Sequence, residues 1–166
     1  MKEFCLVASI IAAICLLSCL PAQAQGNAKQ GPEVLRDPIL EKDSLHNLEV
    51  ARQYFKLRKA YVAALERCEE VLAANPEFSK IDEVLFIAGQ SSANLAEEKG
   101  KQKANQYVIH EGEKKVTLTS EEFREKARGY LSQLVTEHPQ SSFRGQADAA
   151  LKELGQPKAK TASSKQ

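Results

Sequence analysis

The stretch YVAALERCEEVLAANPEFSKIDEVLF, residues 61–86, decides the fold of this chain. Tyr61, Ala64, Leu65, Cys68, Val71 and Leu72 recur at steps of three and four, the spacing that places side chains on one face of an α-helix. Asn75-Pro76 ends that stripe, because proline disfavours helical backbone in the residue before it. Ser79, with Asp82 three positions on, is close to a capping box and is expected to open the next helix. That helix carries Ile81, Val84, Leu85, Ala88, Ser92 and Leu95 on one face. Neither helix can bury its stripe alone, so each needs a neighbour. Cys68 falls on the buried face, where a free cysteine acts as a small apolar residue.

Upstream, Asp37-Pro38 reads as an N-cap followed by a proline pre-set for the first helical turn. Asp43 or Ser44 is the alternative start. Leu45, Leu48, Ala51 and Phe55 give this helix its stripe, and a short link follows at Arg58-Lys59. Downstream, Lys99 to Thr119 loses the helical period. QYVIH and KVTLT are β-prone runs separated by EGEK, so the insertion 99–119 is either a hairpin or a loop. It shows no stripe, and its removal is expected to cost little. Thr119 with Glu122 forms a capping box that opens a helix carrying Phe123, Ala127, Tyr130, Leu131, Leu134 and Val135. Pro139 ends it. Ser141 or Ser142 is expected to cap a last helix with Phe143, Ala147, Ala150, Leu151 and Leu154, stopped by Gly155. The expectation is an all-α domain of about five helices in antiparallel pairs over residues 37–155, with a polar tail at 156–166.

Residues 1–24 read as an export signal: Lys2, an apolar run from Phe4 to Leu20, then Ala22 and Ala24 at the small-residue positions of a cleavage site. Residues 25–36 read as a tether. Cysteine usage agrees with an exported chain that has no disulfide scaffold, since Cys5, Cys15 and Cys19 lie in the signal and only Cys68 remains. The formal net charge of +1 comes with no basic, aromatic-interleaved stripe, so nucleic acid is not an expected partner.

The proline-terminated helices form a repeat. Pro139 minus Pro76 gives 63 residues, and the same spacing sets Ala64 on Ala127, Cys68 on Leu131 and Val71 on Leu134. Helix-pair repeats run to about 34 residues, and the insertion accounts for most of the excess. On these residues the chain resembles a tetratricopeptide repeat. YVAALERCEEVLAANP has the Tyr-x-x-Ala opening and closing Pro, and DEVLFIAGQ has the start of the following helix with Ala88-Gly89 at its small positions. The resemblance is closer to the BamD-type components of outer-membrane β-barrel assembly. LLSC, Leu16 to Cys19, is similar to the lipobox of such lipoproteins, which makes Cys19 a candidate lipidation site and cleavage before it the alternative to cleavage after Ala24.

The resemblance implies a non-enzymatic interaction scaffold of the bacterial cell envelope, exported to the periplasm or the periplasmic face of the outer membrane. Its partners would be envelope proteins, and it would touch the membrane only through a lipid anchor. A periplasmic adaptor of cell-wall or Tol-Pal-like machinery is the alternative. In the family the first helix of each pair lines a concave groove. Carried onto this sequence, the groove is Glu49, Gln53 and Lys56 with Glu83, Phe86 and Gln90. Phe86 is expected to be its apolar anchor, against the alternative that it covers a neighbouring helix as ordinary core.

No catalytic, cofactor-binding or metal-binding constellation is expected. His46, His110 and His138 lie in separate segments without a partner at helical spacing. Glu69-Glu70, Glu97-Glu98 and Glu121-Glu122 read as solvated pairs. KGKQK, residues 99–103, reads as a solvated basic loop.

Overall fold

The computed structural model describes residues 36–155 except position 113. The expected signal, Cys19, the tether up to residue 35 and the tail 156–166 lie outside the described residues. Among the described residues five α-helices follow one another: α1 Pro38–Arg52, α2 Tyr61–Ala74, α3 Ile81–Ala96, α4 Ser120–Glu137 and α5 Arg144–Leu154. A two-stranded antiparallel hairpin interrupts them, β1 Val108–Glu111 and β2 Lys114–Thr117, with Val108 opposite Thr117 and Ile109 opposite Val116. Each helix packs on the next. The chain is predominantly helical, with this small sheet where the expectation left a hairpin or a loop. No described helix is long and apolar enough to cross a membrane.

Helix α1 starts where Asp37-Pro38 places it: the Asp37 carboxylate accepts the Ile39 N–H at 2.8 Å. Its buried face is Ser44, Leu48 and Ala51, and Leu45, expected in the stripe, is exposed. Polar Ser44 takes the buried position because its hydroxyl accepts the Asn75 amide at 3.2 Å. A π-helical turn, Gln53–Arg58, ends the element, and left-handed Lys59 (φ 50°) reverses the chain into α2.

Two expected caps are corrected. Ser79 does not start α3. Its backbone N–H and hydroxyl both donate to the Glu41 carboxylate, at 3.0 and 2.7 Å, so the turn is tied to α1 instead. Ser141 and Ser142 do not cap α5, whose first turn is preceded by Phe143. The Ser141 hydroxyl accepts the Phe143 N–H at 3.1 Å and donates to Asp82 at 2.7 Å. The Thr119–Glu122 capping box forms in both directions.

Helix α3 buries all six stripe residues and also Ile87, Gly89, Ser91 and Ala96. It lies between α2 and α4, so two faces are covered, and a single-stripe reading of the sequence misses the second. Gly89 is required there: an added Cβ would stand 2.6 Å from Leu131 Cγ.

The 63-residue spacing governs the backbone as well as the stripes. Asn75 and His138 each donate to the fourth residue before, Val71 and Leu134, at 2.9 Å. Phe78 donates to Asn75 as Ser141 does to His138, and Ile81 to Phe78 as Arg144 does to Ser141. Val84 and Ala147, one spacing apart, are both fully buried. The two helix–turn–helix units are therefore built on one plan. At the ends of the helix stack, α1 exposes Lys42, Asp43, His46 and Glu49 beside Ile39, Leu40 and Leu45, and α5 exposes Arg144, Gln146 and Glu153.

The insertion is more than a loop. Gly100 (φ 96°) lies so close to Tyr61 that a Cβ would be 2.5 Å from its ring. The Lys101 N–H donates to the Lys59 carbonyl at 2.9 Å, and the Gln102 side chain accepts the Ala63 N–H at 3.0 Å, capping α2. Tyr107 is buried edge-on against Phe123 with ring centroids 5.6 Å apart. The expectation that this segment contributes nothing to the core is corrected, because an isolated aromatic carries no periodicity to read.

Candidate functional site

The expected groove residues divide between two environments. Glu49, Gln53 and Lys56 are exposed along α1 and its π-helical end. Between them Arg52 turns inward and grips Glu83 of α3 in a two-bond ion pair, Nε to Oε1 at 2.7 Å and Nη2 to Oε2 at 2.5 Å. Glu83 is thereby spent on holding α1 to α3. Gln90 is half-buried and its carbonyl accepts the Asn94 amide at 2.8 Å.

Phe86 does not stand open in a groove. Its half-buried ring stacks on Phe143 with centroids 5.0 Å apart and 22° between planes, both packed against the cluster of Leu85, Leu131, Leu134 and Ala147. The turn after Pro139 brings Phe143 over the half-buried Phe86, a packing contact of the kind the core alternative expects. Phe86→Ser is therefore expected to lower unfolding free energy by about 2–3 kcal/mol, from partial burial and the ring pair together. Urea melts measure it. An unchanged midpoint would return Phe86 to the role of exposed anchor.

The densest polar site was missed by the sequence reading. Glu69 of α2 accepts the Tyr107 hydroxyl at 2.7 Å and the Tyr130 hydroxyl at 2.8 Å, and pairs with Lys126 Nζ at 2.6 Å. The Lys126 ammonium stands 5.5 Å from both tyrosine ring centroids, within cation–π range. The hub thus joins α2, the insertion and α4 through one carboxylate. Its neighbour Glu70 behaves as expected, paired with Arg67 on the surface. The available signal was the amphipathic character of the two tyrosines, each needing a partner for its hydroxyl once its ring is buried.

Burial, then the Glu69 carboxylate, pushes both tyrosine hydroxyls well above the ordinary phenol range. They donate hydrogen bonds and do not ionise near neutrality. Unfolded tyrosines titrate near about 10, so this contribution to stability is complete below that pH and is lost as pH rises through the higher folded values. In phenolate absorbance titrations, the wild type should ionise two tyrosines only on alkaline unfolding. A Tyr107→Phe/Tyr130→Phe variant should lose that late component, and an unchanged curve would dissolve the hub. The Cys68 thiol, 1% exposed, is likewise raised by burial, which leaves it protonated and unreactive.

Beside the hub a cleft of about 460 Å³ opens between α2 and α4, floored by Leu72, Ala73, Pro76 and Ile81. His138 lies on its rim; His46 and His110 are exposed elsewhere. Among the described residues no three His, Cys, Asp or Glu side chains converge as metal ligands.

A second cleft lies between α4 and α5, with Arg128 in its wall. Arg128 is only 7% exposed. Its Nη1 donates to the Leu154 carbonyl at 3.2 Å and its Nη2 to Glu121 at 3.0 Å, while Nε has no acceptor among the described residues. In the first unit the equivalent position is Leu65, a fully buried apolar residue.

No family model matches the chain, and neither a curated protein nor a solved structure is significantly similar to it.

Proposed function

We propose that the chain is a non-enzymatic protein–protein interaction scaffold of the bacterial cell envelope, built of tetratricopeptide-type helix pairs and similar in role to the BamD-type assembly components. The observation that supports this reading is the two-fold use of one helix–turn–helix plan at a 63-residue spacing, with matching turn hydrogen bonds. Stacked helix pairs present long side surfaces to partners, the common use of such repeats. The polar sites support it too: Glu69 and Arg52 are committed to holding elements together rather than to a reacting group. The groove of this scaffold has Glu49, Gln53 and Lys56 as its exposed rim.

The experiment is in-cell crosslinking of the tagged chain in the envelope, with mass determination of the mature N-terminus and identification of crosslinked proteins. Reproducible crosslinks to one envelope assembly, reduced by a Glu49→Lys/Lys56→Glu variant of unchanged stability, are the expected result. A mature chain acylated at Cys19 in outer-membrane fractions would favour the barrel-assembly role. A soluble chain beginning at Gln25 would favour the periplasmic adaptor. A chain retained in the cytoplasm would overturn the envelope assignment.

A further inference from the structure

Two basic segments far apart in the sequence meet at one corner of the molecule. Lys56-Leu57-Arg58-Lys59 forms the π-helical end of α1 and its left-handed exit. Lys99-Gly100-Lys101-Gln102-Lys103 follows the end of α3. The Lys101 N–H donates to the Lys59 carbonyl at 2.9 Å, and Gly100 lies against that carbonyl and the Tyr61 ring. Lys56, Leu57, Arg58, Lys59, Lys101 and Lys103 are all exposed. In sequence these are two short solvated runs, and the fold makes them one surface.

The charge of this corner is free. Lys99 is set aside, because Glu97 holds its ammonium at 2.5 Å. Among the described residues no carboxylate pairs with Lys56, Lys59, Lys101 or Lys103. Arg58 lies 5.5 Å from the centroid of the Tyr54 ring, a contact that leaves its charge in place. Glu98 is the one remaining carboxylate of the two segments, against five cations. Helix α2 leads from this corner through 14 residues, about 20 Å at 1.5 Å each, to the Pro76 turn. There Glu77, Asp82 and Glu137 surround a cleft of about 520 Å³, with Arg36 as its one lysine or arginine among the described residues. A net charge of +1 thus hides a separation of sign along the helices.

We propose that the basic corner docks on an anionic lipid bilayer, with Leu57 entering the headgroup region and the five cations facing lipid phosphates. Leu57 is 78% exposed and projects from a chain reversal between two cations. One apolar side chain ringed by cations suits a lipid surface, where insertion and charge attraction add. A protein interface packs an apolar core and is depleted in lysine, whereas four of these five cations are lysines. Lysine meets a phosphate as a point charge from any direction, while fixed carboxylates favour the arginine fork. The acidic end disfavours the inverted pose. This goes beyond the scaffold reading, since it assigns a membrane-facing end and needs no protein partner.

The chain has no tryptophan, so Leu57→Trp supplies a local probe. Ile39→Trp, at a 71% exposed position on the end of α1 tied to Ser79, is its control. Each full-length variant is mixed with phosphatidylcholine vesicles, with and without phosphatidylglycerol. The apolar run from Phe4 to Leu20 has affinity for any bilayer, so total binding is not the readout. Fluorescence of the Leu57→Trp probe should shift to the blue, and be quenched by brominated lipid tails, on anionic vesicles only. The Ile39→Trp probe should show neither effect. Salt at about 1 M, where the Debye length is about 3 Å, should reverse the shift. Adding Lys59→Asn/Lys101→Gln/Lys103→Gln to the probe chain removes three cations, each worth about fivefold near a charged surface. The apparent affinity should fall at least tenfold on that scale, with the melting temperature unchanged.

Equal shifts on neutral vesicles, no shift, or a shift shared by the Ile39→Trp probe overturns the proposal. So does a shift that the triple variant leaves untouched. In-cell photocrosslinks from position 57 to an acidic protein, without a vesicle response, would assign the corner to that protein and overturn it too. If the vesicle response fails while envelope crosslinks at the Glu49 rim persist, the scaffold reading stands and only this surface is lost.

Discussion

Phe123→Ala is expected to remove about 3–5 kcal/mol from the unfolding free energy, the cost of emptying a large, fully enclosed aromatic site. Phe123 is 0% exposed and stands in the first turn of α4, edge-on to Tyr107 of the insertion. Its removal leaves a void that neighbours cannot collapse into, since Ala127 and Leu131 on the same face are already fully buried. It also strips one wall from Tyr107 and so loosens the ring whose hydroxyl reaches Glu69. Net stabilities of domains this size lie at about 5–15 kcal/mol, so the variant will be marginal at best. Guanidinium melts followed by circular dichroism give the value. A loss under about 1 kcal/mol would mean that the first turn of α4 does not pack as described.

Deleting Lys101 to Lys115 and bridging the gap with a Gly/Ser linker is the second large effect, again about 3–5 kcal/mol. Tyr107 contributes about 1.5–3 kcal/mol by burial. The Gln102 side chain that caps the Ala63 N–H contributes on the scale of a helix cap, about 0.5–2 kcal/mol. Loop entropy cannot compensate, since each halving of loop length returns only about 0.6 kcal/mol. A control trims only His110 to Lys115, the exposed end of the hairpin, and should change stability by no more than about 1 kcal/mol. The pair of deletions separates a structural stem from a dispensable tip. Equal stability of the long deletion and wild type would restore the segment to a passive loop.

These two results mark where the sequence was legible. Helices α1 to α5, the Pro76 and Pro139 stops and the Asp37 and Thr119 caps could be read directly, because each rests on contacts within a few residues. The 63-residue repeat was legible for the same reason. What failed were the partners across space. Ser79 looks like a cap but is claimed by Glu41, 38 residues away. Phe86 looks like an exposed anchor until Phe143 arrives over it. Glu69 looks solvated beside Glu70, and its three partners lie on the insertion and on α4. Arg128 drew no reading from the sequence, and its burial rests on Glu121 and the Leu154 carbonyl, which no local pattern shows.

The Glu69 hub also bears on the order of assembly. Its partners lie 38 and 61 residues downstream, at Tyr107 and Tyr130. A chain emerging from its N-terminus forms α1, α2 and α3 before either hydroxyl exists to meet that carboxylate. The intermediate keeps Glu69 hydrated, and α2 stays exposed along the flank that α4 later covers. Closure therefore waits for α4, and the hub fastens the insertion and α4 onto α2 in one event. Amide protons of the 101–107 stem should then exchange with those of α2 and the first half of α4 as a single cooperative unit. Helix α5, which the hub does not touch, is expected to exchange as a separate unit.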